Sequence, residues 1–427
     1  MSITTRVPLR ESGFQGGFAV IPQFFLGVAF IFFPVAQLSV FGLPLYWSEA
    51  AFLGALITAP LIGWTRLSDR LAETLREEWP LLLFALLFLV GTLTAFFLNP
   101  HTVSDWGEIK SFALLPVGLL VAILVLVETQ WELERLALAW LLGIVAAAIA
   151  ALGAALSGWW LYDGRLAGLY QSPNYLAMLV APGILLSLYF FRSRTRGSIR
   201  SLSVSCLILI TLVLWATHSY AAWLSIGVAA AVFFWLRRPS VSFRMMLCVG
   251  LGIAGLVGGV IAHESGSAKW ESLVSGSERS SLASRVMIWQ AASKIATDSF
   301  PWGIGMGHFQ ERYLDYQRFF PPYLEWAVPT PHNLYLHFLI EGGLLTLGGW
   351  LGCVVIVAIA AWRSWQLGGR ASMPWCGALG GALIVFYLTY GLVDTPYMKN
   401  DLALAVWGSL GFLAGALRLE RNTIELT

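Results

Sequence analysis

The sequence predicts an all-α polytopic membrane protein. Two observations carry that prediction. Of the 427 residues, 58% are hydrophobic and only 12% charged, about half the ~25% charge of a soluble globular chain. The apolar residues also fall in long unbroken runs separated by short polar stretches, unlike the brief alternating segments of a transmembrane barrel. A soluble enzyme and a disordered chain are excluded on the same grounds. With 26 basic and 24 acidic residues and a net charge of +2, there is no general basic surface, so no nucleic-acid partner is expected.

A helix crosses the bilayer with roughly 20 apolar residues. Runs of that kind centre on 18–40, 42–64, 80–98, 109–127, 136–158, 174–191, 202–217, 220–236, 245–262, 333–361, 375–393 and 402–417, which predicts about 12 spans. The run 202–217 is short for a crossing. The first run reads as an uncleaved anchor, because no small-x-small cleavage site follows a short apolar core. With the N-terminus inside, 17 of the 26 Lys and Arg residues fall in inner segments and nine in outer ones, six of those nine in one long loop. The bias of basic residues towards the cytoplasm then places both termini there. The chain divides into an N-terminal bundle of about nine spans (1–262), a large outer loop (263–332) and a C-terminal bundle of about three spans (333–427).

Cys206, Cys248, Cys353 and Cys376 lie far apart within apolar runs and read as buried free thiols. Many of the 20 tryptophans, among them Trp47, Trp64, Trp159 and Trp375, flank spans as interface anchors. In the outer loop, Ile288, Trp289, Ala292 and Ile295 repeat at helical spacing around Arg285. A Pro-Trp-Gly-Ile-Gly-Met-Gly turn (301–307) ends that helix. A second amphipathic helix is predicted from His308 to Phe320, stopped by Pro321-Pro322. The spaced glycines follow a helix, not a strand, so they read as a structural turn and not as a dinucleotide fingerprint.

The few polar residues on the outer side are the candidate functional set. Thr330-Pro331-His332-Asn333 opens the tenth span, where free N–H groups can bind an anion and an imidazole can exchange protons with a hydroxyl at neutral pH. Asn333, His337 and Glu341 recur every four residues and share a helix face. Glu341 lies roughly 13 Å along that helix from His332, where an ionisable residue either serves function or pairs with His337 or an arginine to fix packing. These residues do not make a His-Glu-x-x-His zinc motif, and no metal is expected. Arg165 precedes a Gln171-Ser172-Pro173-Asn174 helix start, Thr217-His218-Ser219-Tyr220 forms a polar hairpin tip, and Asp394 ends the eleventh span. Arg165 and Arg285 are natural oxyanion partners, since guanidinium grips phosphate through two bonds and keeps its charge.

Taken in order over residues 160–415, these pieces resemble the O-antigen ligase and polymerase superfamily of bacterial membrane glycosyltransferases. The resemblance rests on Arg165 with the Gln-Ser-Pro-Asn loop, on Ser284-Arg285-x-x-x-Trp289 with the Pro-Trp-Gly-Ile-Gly-Met-Gly-x-Phe turn, on His332-Asn333 with Glu341-Gly342-Gly343, and on Asp394-Thr395-Pro396. It implies a GT-C-like fold in the bacterial inner membrane with its active site on the periplasmic face. The implied donor is a glycan on undecaprenyl diphosphate, passed to a lipid or glycan acceptor without a cofactor. His332 matches the family's proposed catalytic histidine and Arg285 its loop arginine at the diphosphate. Arg165, Asn333, His337, Glu341, Asp394, His218 and Tyr220 are the expected substrate-binding residues, with Glu341 and Asp394 alternative sharers of the base role. One departure is Ser219-Tyr220, where many members have Ser-Arg. Arg165 or His218 then has to supply the missing group. A ligase acting on a terminal acceptor such as lipid A-core is favoured over a polymerase of the same superfamily. A small-solute or ion transporter is the reading from another class, with Glu341 its main support.

Overall fold

The computed structural model describes residues 20–31, 37–40, 43–102, 104–192, 197–237, 281–320, 328–367 and 373–425. The predicted ninth span (245–262), Cys248, the first part of the outer loop and Pro321-Pro322 lie outside the described residues.

The described chain is helical apart from a short antiparallel hairpin. The order is α1 (Val20–Ile31), β1 (Gln37–Val40), β2 (Leu43–Tyr46), α2 (Trp47–Thr58), α3 (Trp64–Glu77), α4 (Trp79–Leu98) and α5 (Asp105–Leu126). Then come α6 (Gln130–Leu156), α7 (Pro173–Arg192), α8 (Gly197–Ala216), α9 (Tyr220–Leu236), α10 (Ser281–Asp298) and α11 (Phe309–Tyr316). The chain ends in α12 (Leu334–Leu367), α13 (Trp375–Tyr390) and α14 (Asn400–Glu425). Among the described residues, seven helices are long and apolar enough to cross a membrane, or eight when the bent pair Trp47–Ile62 and Trp64–Glu77 counts as one span. Shorter apolar helices occupy Val20–Phe30, Tyr220–Leu236 and Trp375–Tyr390. The chain is therefore an all-α multi-pass membrane protein.

Three predicted runs take a different shape. The run 18–40 is not one helix, because α1 stops at Ile31 and the chain then enters the hairpin 37–46. The run 42–64 bends by 112° at Gly63, whose φ of 103° is open to glycine. Beyond the bend, α3 alternates Trp64, Leu67, Leu71 and Leu75 with Arg66, Asp69, Arg70 and Glu73, the pattern of a helix lying at an interface. The run 333–361 becomes α12, which departs from helical geometry at Gly343. In a straight helix Tyr335 and Trp350 would stand about 22 Å apart, yet their rings are 5.9 Å apart and Phe338 and Trp350 are 5.2 Å apart. The first nine residues of α12 thus turn back against the rest. By contrast, the short run 202–217 is a full helix of 20 residues, Gly197–Ala216.

The bundle is closed around α14, the most enclosed of the crossings. The tight pairing of α4 with α12 depends on a missing side chain: a Cβ at Gly349 would meet the Phe88 nitrogen at 2.3 Å, the small-residue contact that lets membrane helices approach. Connections sort to two ends. At one end Arg66 pairs with Glu128 at 2.8 Å, and Arg418 bonds Thr74 at 3.0 Å and the Leu124 carbonyl at 2.6 Å. Arg70–Glu128 and Arg421–Glu78 join the same end. At the other end, buried Glu49 accepts from Lys110, Ser111 and Asn400 at 2.8, 3.0 and 3.0 Å. The candidate residues gather at this second end.

Candidate active site

His332 stands just ahead of α12 and is fixed by its neighbours on both sides. Asn333 caps the helix, its Oδ1 accepting from the Tyr335 and Leu336 N–H groups at 3.0 and 2.9 Å. Its amide nitrogen donates to the Leu392 carbonyl at 3.0 Å. The Leu334 N–H bonds the Gly391 carbonyl at 2.8 Å, and the Trp289 indole N–H reaches the His332 carbonyl at 3.3 Å. Held this way, His332 adopts φ +48°, in the left-handed region that side chains rarely enter. Strain of this kind persists where the surroundings over-determine it and collects at functional sites. The expected anion site at this helix start is occupied by the Asn333 carboxamide, so Asn333 serves here as a cap.

Asp394, 3% exposed at the loop after α13, is the hub of the site. Its Oδ1 lies 2.8 Å from His332 Nδ1 and accepts the Thr395 N–H at 2.9 Å. Its Oδ2 accepts from Asn174 Nδ2 at 3.0 Å and lies 3.6 Å from Arg285 Nη2. A carboxylate can only accept, so Nδ1 carries the hydrogen and Nε2 presents its lone pair. Burial pushes the Asp394 carboxyl up, but the field and hydrogen bond of the adjoining imidazole, with Arg285 and the Thr395 N–H, outweigh it. The group is held below the ordinary carboxylate range. His332 and Arg285 remain partly open, their side chains 31% and 19% exposed.

The hairpin tip and the Arg165 loop flank this hub. Ser219 Oγ and the Tyr390 hydroxyl are 3.0 Å apart, and Tyr390 lies within electrostatic range of Asp394, Arg285 and Arg165. The Leu166 N–H bonds the Ala216 carbonyl at 2.8 Å, which ties the Arg165 loop to the tip. Arg165 itself rests on Asp163, Nε to Oδ2 at 2.9 Å. His218, like His332, has a positive φ of 49°, and Tyr220 begins α9 beside Ser219.

His337 and Glu341 lie elsewhere. Both are fully buried, with His337 Nε2 3.6 Å from Glu341 Oε2. The Glu341 carboxyl accepts the Gly307 and Phe309 N–H groups at 3.0 and 3.1 Å. Around it the glycine turn docks onto the break in α12: Ile304 N–H to the Ile340 carbonyl at 2.8 Å, Gly305 N–H to the Glu341 carbonyl at 3.0 Å, and Leu344 N–H to the Pro301 carbonyl at 2.8 Å. Neither glycine at the contact tolerates a side chain, since a Cβ at Gly343 would meet the Pro301 oxygen at 2.4 Å and one at Gly303 the Gly343 nitrogen at 2.6 Å. Glu341 therefore fastens the outer loop to α12 and does not face the His332 opening.

Four side chains thus converge: His332, Asp394, Arg285 and Asn174. The sequence offers Asn174 as part of a helix start and of the Gln-Ser-Pro-Asn loop, not as a site residue. In the structure its place in the first turn of α7, with its amide on Asp394, marks it. Among the described residues no group of three or more His, Cys, Asp or Glu is arranged to hold a metal ion.

Residues 204–351 match the family model described as O-antigen ligase. Over that stretch the chain is similar to the O-antigen ligase family. The matched stretch includes Ser219, Arg285, the glycine turn, His332 and Glu341, and its likeness to that family points to an O-antigen ligase-like activity. Asn174 precedes the matched stretch and Asp394 follows it, so the hub carboxylate of the site comes from outside residues 204–351. A comparison with curated proteins finds no match.

Proposed function

We propose that the chain moves a glycan from undecaprenyl diphosphate to a terminal lipid acceptor such as lipid A-core, with inversion and without a metal or cofactor. The observation that carries this reading is one buried carboxylate, Asp394, set between an imidazole at 2.8 Å and a guanidinium at 3.6 Å. That arrangement supplies a proton acceptor and a fixed positive charge side by side, the two needs of glycosyl transfer from a diphosphate.

The acceptor hydroxyl attacks the anomeric carbon from the face opposite the leaving group. As the new C–O bond forms, the hydroxyl proton passes to His332 Nε2. The bond from the anomeric carbon to the phosphate oxygen breaks, and its electron pair leaves with the lipid diphosphate. Arg285 meets the charge that grows there, and Arg165, turning from Asp163, gives a second guanidinium in place of the one absent at Tyr220. Asp394 keeps the imidazole in the tautomer that leaves Nε2 free, and Asn174 holds Asp394. The end of the bundle that carries these groups lies opposite the end with Arg66, Arg70, Arg418 and Arg421. The excess of basic residues at that other end supports an outward site and cytoplasmic termini.

The test is transfer by purified protein from a lipid-diphosphate-linked glycan to lipid A-core, without added metal. His332→Ala should abolish transfer while the protein still expresses and folds, and near-normal transfer by that variant would sink the assignment. Offering a second lipid-linked repeat unit as acceptor in the same assay separates a ligase from a polymerase.

A further inference from the structure

The outer loop holds a concavity of about 400 Å³ whose lining does not include His332. It lies between the C-terminal end of α10 and the turn after α11, and Lys294, Asp298, Asp315, Tyr316, Arg318 and Phe319 line it. Its polar wall is fixed: Lys294 Nζ bonds Asp298 Oδ1 at 2.5 Å, and the Tyr316 hydroxyl donates to Oδ2 at 2.9 Å. The hydrogen bond from Lys294, then that from Tyr316, holds the Asp298 carboxyl below its ordinary range, and the same bonds raise Lys294 and Tyr316. The ion pair therefore persists at neutral pH. Also in the lining, the Phe319 ring is 63% exposed and carries the Arg318 guanidinium 4.9 Å from its centre.

The lining chemistry selects among occupants. Two carboxylates and two cations cancel, so neither a polyanion nor a polycation is favoured. A lipid tail would leave the fixed ion pair facing hydrocarbon. A neutral, hydroxyl-rich ring fits this lining, with its C–H face on Phe319 and its hydroxyls on Asp298, Asp315 and Tyr316. The place also suits a long substrate. Asp298 lies about 20 Å along α10 from Arg285, too far to touch the sugar being transferred but on the same rigid helix.

We propose that this concavity is a distal glycan subsite, binding a sugar ring several units away from the bond that reacts. The inference rests on the glycosyl-transfer reading above for its substrate. The test compares wild type with Phe319→Ala and Asp315→Asn, both at exposed positions, using lipid-diphosphate-linked glycans of one and of several repeat units. Loss of the ring contact should raise KM for the long donor about tenfold, the equivalent of ~1.4 kcal/mol, leaving kcat and the one-unit donor unchanged. If the effect instead follows the length of the acceptor glycan at fixed donor, the subsite stands and its occupant is the acceptor chain. A KM independent of glycan length on both sides overturns it. Saturation-transfer NMR with free oligosaccharide released from the donor reads binding without turnover. A signal lost in Phe319→Ala supports the subsite even where transfer fails, and an equal signal in both proteins refutes it.

Discussion

Replacing Asp394 by asparagine probes the centre of the site without changing its volume. The carboxylate is surrounded by hydrogen-bond donors: His332 Nδ1 and the Thr395 N–H on one oxygen, Asn174 Nδ2 on the other, with Arg285 close by. An amide must turn its NH2 towards one of these donor sets. Facing His332, it forces Nδ1 to accept and moves the ring hydrogen to Nε2, which removes the base. Facing Asn174 and Arg285, it leaves donors opposed in a buried pocket, at a cost of about 1–3 kcal/mol. Either way a charge-assisted bond of about 1.5–3 kcal/mol is lost. A combined loss of roughly 3–4 kcal/mol from the transition state is a fall in kcat of about 10²–10³-fold. Steady-state transfer with varied donor, alongside thermal unfolding of the same preparation, separates that fall from misfolding. A folded Asp394→Asn protein with kcat within about threefold of wild type would refute the shared role of this carboxylate.

Other consequences follow from the same geometry. Arg285→Lys keeps the charge but loses the planar fork, so transfer should fall by roughly 10²-fold with protein yield unchanged, as measured in the same assay. Glu341→Gln sets an amide against the Gly307 or Phe309 N–H; stability should drop by about 1–3 kcal/mol, and limited proteolysis should cut between residues 299 and 309 faster. Asp394 titrates lower in the folded protein than in the unfolded one, so its stabilisation is present above the unfolded carboxylate value near ~3.9 and is lost as pH falls through the folded value. The Tm gap between wild type and Asp394→Asn should stay constant from about pH 8 to about pH 5 and narrow only below ~4. A gap that closes already near neutrality would contradict the low folded value.

The fold was readable where hydropathy alone decides it. Long apolar runs such as 80–98 and 136–158 became α4 and α6, because nothing but a helix satisfies the backbone in lipid. It was not readable where local geometry redirects an apolar run. Residues 333–361 are continuous in hydropathy, and only the positive φ at Gly343 and the turn docked there make α12 reverse. The helix α3 escaped notice because its mean hydropathy falls below that of a span, although its apolar residues keep helical spacing. In the site, His332, Arg285 and Asp394 stood out as rare ionisable residues at one end of the spans. Glu341 did as well, but its role depends on which segment covers its helix face, and that is set by contacts across 30 or more residues of chain. Asn174 was hidden for the opposite reason: an asparagine after Ser-Pro already has a local explanation.

The reversal at Gly343 also explains why the candidate site draws on parts of the chain on both sides of residues 204–351. Because residues 334–342 fold back, His332 is brought against the end of α13, where the Gly391 and Leu392 carbonyls bind Leu334 and Asn333. An uninterrupted helix would carry His332 away from those carbonyls and from Asp394. The Glu341 clasp joins the same break to the outer loop, and α10, which leads into the clasped turn, bears Arg285. One glycine break therefore sets two distances at once, imidazole to carboxylate and guanidinium to carboxylate. Asn174, in the first turn of α7, completes the shell by bonding the oxygen that Arg285 approaches. The proposed base and cation lie within residues 204–351, and the carboxylate between them comes from the α13–α14 connection.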